Sequence, residues 1–431
     1  MTFVWTKIRN YASYFWYGIK IGEINILALL IDFAILIYSI IGLGDMWKIG
    51  NIWLLLLLIF INVGWQIFST LKECISYFSK GKGCYKRTRG NKYKVLLHEE
   101  LRDEYNIILV EKIKGLVLVS DKANDIIRNK KVLYKRYSKK GERVKKYIRV
   151  NKSVLIRFLN WKWREIIHNG GAFYNESKLC MAGELFSKKE DEDTFVLPVC
   201  KGSYYNSFLT NNIYSIGLYE NSFCIEAPMN IRNYEIRSLH DSDMGDHIGV
   251  STLAISRDGY AFIMRHNNKT AVSNDKLQPT GSGSVDFQDL EGGDSNFTTV
   301  ICKAAIRELK EETFLPESVI DRTVIVGFYR DLGRAGKPEY CCLSFLNKDA
   351  IDIYEMMHPC KKEQSEEIQK VRVREECGGI NIEQINKYLK DKIDEMSLSL
   401  YMTYYMGIQY FNEIPIYYKS YTYLEYVETI K

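Results

Sequence analysis

Arg307-Glu308-Leu309-Lys310-Glu311-Glu312-Thr313 is the stretch of this 431-residue chain that decides its fold. On a helix, Glu308, Glu311 and Glu312 stand at i, i+3 and i+4, so three carboxylates share one face. Carboxylates this close repel one another unless a cation lies among them. Mg²⁺ takes oxygen ligands and is usually shared with substrate phosphates, so one interpretation is a magnesium and pyrophosphate site. The other is a solvated helix face on which Arg307 pairs with Glu311.

The segments on either side of this helix indicate strands and a glycine-rich loop. Residues 249–256 and 261–265 have the pattern of a hairpin, and residues 323–329 and 340–346 that of two later strands. Between them, Gly281-Ser282-Gly283-Ser284 lacks bulky side chains. Such a loop lets the backbone come close to a phosphate or a metal ion.

This order of strands, loop and helix resembles the Nudix hydrolase family, whose pattern is G-x5-E-x7-R-E-U-x-E-E-x-G-U with U apolar. R-E-L-K-E-E is intact here, and Phe314 fills the final apolar position. Thr313 stands where the family has glycine, and Thr299 where it has glutamate. The opening glycine is either Gly293, which has the family spacing, or Gly283, whose surroundings look more like the family loop. We favour Gly283, which makes residues 288–297 an insertion.

The resemblance implies a Nudix-like α/β/α sandwich with a mixed sheet over residues 246–431, including a C-terminal helical extension. It also implies Mg²⁺ as the cofactor if the site is active. The residues matching Glu311 and Glu312 bind the metal in that family, and the one matching Glu308 binds metal or is the catalytic general base. The residues expected to line the cofactor site are Gly281, Gly283 and Arg307.

Nudix enzymes often add a late glutamate from a loop near the site. Glu363, Glu366 and Glu367 are the candidates in this chain, and the sequence does not choose among them. A solvated acidic helix is the alternative interpretation of the three.

Two apolar runs near the N-terminus predict a transmembrane hairpin. Residues 24–43 and 49–68 are each long enough to cross a hydrocarbon core of about 30 Å. Basic residues flank the outer ends of the pair, so the positive-inside rule places both termini in the cytoplasm. Residues 1–23, rich in aromatic side chains, are expected to form an interfacial segment on the membrane surface. A buried helix hairpin within the protein is the alternative.

Among the polar residues that interrupt these apolar runs are Asp32, Asn62 and Gln66. Polar groups in the middle of a membrane span usually face protein or water, and hydrogen bonds between them can hold transmembrane helices together. They predict either a contact within one chain or assembly of several chains into a homo-oligomer with a polar interior.

The distribution of charge indicates which partners to expect, and the cysteines indicate the redox state of the thiols. The net charge of +6 is concentrated in residues 69–94, a basic juxtamembrane linker, and in residues 128–152, where twelve Lys and Arg accompany one acid. The second run indicates either a membrane surface or an anionic ligand. No nucleic-acid reading motif accompanies it, so DNA is not an expected partner.

The ten cysteines form no CxxC pair and are expected to be reduced thiols. Residues 95–245 are expected to form a mixed α/β domain of unknown role.

The whole arrangement resembles the two-transmembrane Nudix effectors of bacterial cyclic-oligonucleotide antiphage signalling (CBASS). The resemblance implies a two-pass protein of the bacterial cell membrane whose cytoplasmic α+β region binds a cyclic oligonucleotide. The chains would then associate and disrupt the lipid bilayer, which causes abortive infection. One alternative is a membrane-tethered, Mg²⁺-dependent Nudix hydrolase of a nucleoside diphosphate derivative. Another is an anchored scaffold with an inert Nudix fold.

Overall fold

The structure is a computed structural model whose helices and strands can be given by their bounds. The residues that it describes are 2–27, 30, 31, 34, 37, 52–88, 96–220, 223–231, 235–266, 276–291, 295–357, 365–374, 379–413 and 418–429. The helices are α1 (Thr2–Lys20), α2 (Ile52–Ser79), α3 (Glu99–Arg102), α4 (Asp121–Asn129), α5 (Lys139–Val150), α6 (Lys152–His168), α7 (Tyr204–Ser207), α8 (Pro228–Ile231), α9 (Phe297–Thr313), α10 (Ala350–Met356), α11 (Ile382–Lys392), α12 (Leu398–Tyr410) and α13 (Tyr423–Thr429).

The strands fall into one large sheet and several small ones. They are β1 (Tyr85–Thr88), β2 (Leu96–Leu97), β3 (Asn106–Val110), β4 (Gly115–Val119), β5 (Lys131–Arg136), β6 (Ser177–Met181), β7 (Thr194–Ser203), β8 (Ile216–Glu220), β9 (Phe223–Glu226), β10 (Glu235–Ile236), β11 (Gly249–Ile255), β12 (Tyr260–His266), β13 (Leu277–Gln278), β14 (Gly281–Ser284), β15 (Ile320–Asp331), β16 (Lys337–Leu346), β17 (Ser365–Arg372) and β18 (Lys419–Tyr421).

The large sheet is mixed and has the order β13-β12-β11-β16-β15-β4-β3-β18, with β14 paired to β11 and β17 paired to β12. Strands β11 and β16 run parallel, whereas β15 and β16 form an antiparallel pair. Because β4 also pairs with β15, the β3–β4 hairpin continues the sheet of the C-terminal region. One sheet therefore joins residues from both sides of position 245.

Helices cover both faces of this sheet. Consecutive residues of a strand point to opposite faces, and Cys341 and Cys342 accordingly lie in different hydrophobic clusters. Cys342 packs in the cluster that contains Ala304 of α9, and Cys341 in the one that contains Tyr401 of α12. These adjacent thiols therefore point to opposite faces of the sheet. No disulfide joins any of the cysteines among the described residues.

The N-terminal region packs through aromatic rings. Tyr14 of α1 stacks on Tyr77 of α2 with ring centroids 4.5 Å apart, and on Trp163 of α6 at 4.8 Å. Ile24, at the start of the first apolar run, is buried in the same cluster. Aromatic pairs of this kind stabilise by about 1 kcal/mol each beyond the area that they bury.

The predicted transmembrane hairpin is not found. Among the described residues, no helix is both long and apolar enough to span a bilayer. The prediction of two transmembrane helices over residues 24–43 and 49–68 is therefore wrong, and so is the two-pass placement in a bacterial cell membrane. An apolar run identifies hydrophobic side chains, but it does not say whether lipid or protein covers them. Ile24, at the outer end of the first run, packs against protein, whereas Leu57 and Trp65 within the second run are exposed.

The polar residues of those runs can be placed only in part. Asn62 and Gln66 lie in α2, while Asp32 falls outside the described residues. The predicted contact between Asp32 and these two residues thus lies outside what the structure describes.

Candidate functional site

Helix α9 carries the acidic residues and is defined sharply at both ends. The side chain of Asn296 accepts a hydrogen bond from the Thr298 N–H and caps the first turn. Phe314 ends the helix in the left-handed conformation at φ 59°. Thr313, one residue earlier, is buried, and its hydroxyl donates to the Leu309 carbonyl. The threonine that replaces the expected glycine is thereby accommodated inside the last turn.

Strand β14 lies against α9 so closely that only glycine fits at two positions. A Cβ on Gly281 would lie 2.7 Å from the Leu309 Cα, and one on Gly283 would overlap the Glu308 carboxylate. The Ser282 N–H between them donates a hydrogen bond of 3.1 Å to Oε2 of Glu312. The two glycines, predicted to line a cofactor site, therefore bring the backbone of β14 onto the acidic face of α9.

The three glutamates of α9 have different environments. Glu308 has a buried side chain, 12% exposed, while Glu311 is 59% exposed and points toward solvent. Burial raises the pKa of Glu308 to about 7, against an opposing effect of the Arg307 charge. Burial, together with the nearby charge of Glu308, also raises the pKa of Glu312 well above its ordinary value. The structure therefore brings Glu308 and Glu312 together and leaves Glu311 at the edge.

Arg307 donates hydrogen bonds to several residues around Glu308. Its guanidinium makes two hydrogen bonds to the Asp289 carboxylate, at 3.2 and 3.1 Å, and one of 2.8 Å to Oε1 of Glu308. It also donates to the Ser284 carbonyl at 2.9 Å and approaches Glu311 at 3.5 Å. These bonds make Arg307 the residue that positions Glu308 and β14, and its role in binding a cofactor stays a prediction.

A second charged wall faces Glu312 across a cavity. Arg334 donates to Asp331 at 2.6 Å and forms an ion pair with Glu339 at 2.7 Å, and Lys337 forms a second ion pair with Glu339. Lys337 and Glu339 are buried near the start of β16. Burial lowers the pKa of Lys337 to about 8, and the Glu339 carboxylate only partly offsets this.

His247 completes the cavity from a third direction. Its ring is buried, and its Nδ1 atom has no hydrogen-bond partner in the part of the chain described. Burial, followed by the charges of Lys337, Lys178 and Arg334, lowers the pKa of His247 well below its ordinary value. The imidazole is therefore neutral and can exchange a hydrogen bond with a ligand.

The cavity enclosed by these walls measures about 460 Å³. A volume of this size falls within the range of small-molecule binding sites. Its lining residues are Tyr204, Asn212, Ser215, His247, Val250, Ser251, Gln278, Ser282, Gly283, Ser284, Glu312, Asp331, Gly333, Arg334, Lys337, Glu339, Leu398 and Ser399. Carboxylate on one side and cationic groups on the other suit a ligand that carries phosphate together with a divalent cation.

The fit of Mg²⁺ to these residues is partial. Within the described ranges, no three His, Cys, Asp or Glu side chains converge in a group that could hold a metal ion. Glu308 and Glu312 nevertheless lie close enough for their charges to interact, and burial, the largest cause, raises the pKa of both. Mg²⁺ often takes only one or two protein carboxylates and fills its other positions with water and substrate phosphate. The two glutamates fit an ion bound in that way.

Of the three late glutamates, Glu367 is the one whose side chain the structure describes, and it does not line this cavity. Glu367 lies in β17 and pairs with Arg265 at 3.1 Å, on the far strands of the sheet. Glu363 and the side chain of Glu366 fall outside what the structure describes.

Sequence reasoning missed the second wall. Lys337 and Glu339 were not among the predicted site residues, and both lie in strand β16. The available signal was their spacing, since residues two apart on a strand point to the same face. His247 carried no signal at all, because its role depends on contacts that are distant in sequence.

Comparison with known proteins adds little. No protein-family model matches the chain, and no curated protein resembles it. Among solved structures, DR0079 from Deinococcus radiodurans is similar over 37% of this chain and 81% of its own, with 13% identity and a TM-score of 0.24. A likeness at that level supports no conclusion about this chain.

Proposed function

We propose that the chain is a Mg²⁺-dependent hydrolase of a nucleoside diphosphate derivative, acting in the manner of Nudix hydrolases. One observation carries the proposal. Glu312 lines a cavity of about 460 Å³ whose opposite wall presents Arg334 and Lys337, and Glu308, the second carboxylate with a raised pKa, lies against Gly283 of the same cavity. A diphosphate with a bound divalent ion has the charges needed to lie between such walls.

Each residue has a chemical role in this reaction. Mg²⁺, when bound, would neutralise charge on the diphosphate, and Glu312 would hold it together with substrate oxygens. Arg334 and Lys337 would orient the phosphates. Water attacks one phosphorus atom and passes a proton to Glu308, while the bond from that phosphorus to the bridging oxygen breaks and the second phosphate leaves. A carboxylate with a pKa of about 7 is well matched to accept that proton near neutral pH.

The test is turnover by the purified full chain with Mg²⁺ and a panel of nucleoside diphosphate derivatives, including ADP-ribose and NAD. Products are separated by chromatography and identified by mass. We expect hydrolysis of at least one compound, and a loss of roughly 100-fold or more in kcat for Glu308→Gln and Glu312→Gln. Glu311→Gln is the matched control and should stay within about threefold of wild type, because its side chain is exposed. Equal activity in all four proteins contradicts the proposal.

A second candidate is nucleotide binding without turnover. It is favoured by the ion pair of 2.8 Å that ties Glu308 to Arg307, and by Thr299, which stands on α9 where a Nudix enzyme has glutamate. The chain would then sense a nucleotide, for example a cyclic oligonucleotide in a CBASS-type response, and associate with other copies when it binds. Membrane disruption is not part of this proposal, because the hairpin that suggested it is not found. Calorimetric binding of a nucleotide that is recovered intact would favour this candidate over hydrolysis.

A further inference from the structure

A second cavity, of about 560 Å³, lies apart from α9 and is lined by basic residues from four different elements. They are Lys20 at the end of α1, Arg136 at the end of β5, Lys145 on α5 and Lys201 on β7. Among the described residues that line the cavity, Glu142 is the one acid. Four cations facing one carboxylate give this cavity a strongly positive potential.

Two buried cysteines and an aromatic ring form part of the lining of the second cavity. Cys180 and Cys200 are cross-strand partners of β6 and β7 and line it, and both are buried. The Phe287 ring also lines it and is held between two of the cations. The guanidinium of Arg136 lies 5.1 Å from the ring centroid, and the Lys201 ammonium lies 5.0 Å from it. Cation–π contacts of this kind fix where the charged groups stand.

Some basic residues of the run 128–152 contribute to the positive charge of this cavity, and others do not. Several of its cations already have carboxylate partners, as in the pairs Lys130–Asp193, Lys140–Asp246, Arg143–Asp241 and Lys152–Glu23. Arg136 and Lys145 instead border the cavity. The first turn of α5 also lines it through Gly141 and Glu142, and the N-terminal end of a helix favours an anion.

We propose that this second cavity binds a small molecule carrying two or more phosphate groups. Its volume lies in the range of small-molecule sites. Neutral hydrogen-bonding side chains stand between the cations and can contact the rest of such a ligand, and they are Tyr137, Ser138, Asn175, Ser177, Ser203 and Asn206. The proposal is independent of hydrolysis at the first cavity, and it gives the basic run a role as a ligand site.

The chain offers a matched control for testing this site. Lys135 precedes Arg136 on β5, and Lys146 follows Lys145 on α5, but neither lines the cavity. Neighbouring residues of a strand point to opposite faces. Arg136→Gln with Lys145→Gln therefore removes the same charge from the same elements as Lys135→Gln with Lys146→Gln, and only the first pair alters the cavity.

The experiment is calorimetric titration of the full chain with sodium tripolyphosphate, without Mg²⁺. We expect the cavity double variant to bind about tenfold more weakly, and the control double variant to stay within about twofold of wild type. The first cavity is unchanged in both variants, so phosphate that binds there affects both equally. Should the cavity variant unfold, Arg136→Lys with Lys145→Arg preserves the charge and is expected to bind within about threefold of wild type. Equal weakening of the two glutamine variants, or no binding by wild type, overturns the proposal.

Discussion

The backbone N–H of Ser282 donates a hydrogen bond of 3.1 Å to the Oε2 atom of Glu312. The bond joins β14 to the acidic face of α9 and fixes the glutamate at the edge of the first cavity. It depends on the flanking glycines, because a side chain at either position would separate the strand from the helix.

Gly281→Ala should therefore disturb both stability and the site. The added methyl group would lie 2.7 Å from the Leu309 backbone, and overpacking of this kind costs about 1–3 kcal/mol. We expect a clear drop in the free energy of unfolding, measured with urea. Gly379→Ala is the control, since a Cβ there meets nothing within 4 Å. Equal stability of the two variants would show that β14 and α9 are not in close contact.

The pKa of Glu308 predicts how stability depends on pH. Its value of about 7 in the folded protein exceeds the ordinary value of 4.5, so the folded state holds this proton more tightly than the unfolded state does. The stabilising contribution is full below about pH 4.5 and is lost as pH rises through 7. Between pH 5.5 and 8 the loss amounts to about 2 kcal/mol.

Glu308→Gln should remove this pH dependence. The free energy of unfolding of wild type, measured without Mg²⁺, should fall relative to that of the variant as pH is raised from 5.5 to 8. Glu311→Gln should follow the wild-type curve, because Glu311 lies in solvent. Parallel curves for wild type and Glu308→Gln would contradict the assigned pKa.

The strands that support the site could be predicted from sequence. The predictions for residues 249–256 and 323–329 agree with Gly249–Ile255 and with the interior of Ile320–Asp331. Runs of apolar and β-branched residues between turns favour strands whatever surrounds them. The glycines of residues 281–284 were expected to bring a loop close to a phosphate or a metal ion, whereas the structure has them in strand β14 against α9.

The burial of Lys337 and Glu339 and the surroundings of the N-terminal apolar runs could not be predicted from the sequence. Lys337 and Glu339 are buried as a pair, and hydropathy assigns each of them to solvent. Ion pairs stabilise the buried charges, and these are tertiary contacts that hydropathy does not detect. The prediction from the N-terminal runs failed for a different reason, since hydropathy identifies an apolar helix face but does not say what borders it.

Mg²⁺ should stabilise the chain at pH 8 and have little effect at pH 5.5. A divalent ion needs the deprotonated carboxylates, and protons compete with it strongly where the pKa values are raised. Thermal unfolding with and without Mg²⁺ measures the effect, because an ion that binds only the folded state raises the Tm. Glu312→Gln should abolish the shift at pH 8, while Glu311→Gln should retain it. A shift that survives in Glu312→Gln would place the ion elsewhere.

Lys337 should make phosphate binding depend on pH. Its pKa of about 8, lowered chiefly by burial, means that the ammonium is largely charged at pH 7 and largely neutral at pH 9. We expect the affinity of wild type for ADP, measured by calorimetry without Mg²⁺, to fall several-fold across that interval. Lys337→Gln should bind weakly at both values, and Lys337→Arg should bind with little change, because a guanidinium keeps its charge at pH 9.

The control for this prediction is Lys303→Gln, which removes a charge from the exposed side of α9 and should leave the pH dependence intact. Loss of Lys337 also leaves Glu339 paired with Arg334 alone, so thermal unfolding is recorded for each variant. A fall in affinity between pH 7 and 9 that is equal in wild type and in Lys337→Gln would assign the titration to another group. The flat response of a folded Lys337→Arg distinguishes a phosphate-binding charge from a merely structural one, because packing alone does not change between pH 7 and 9.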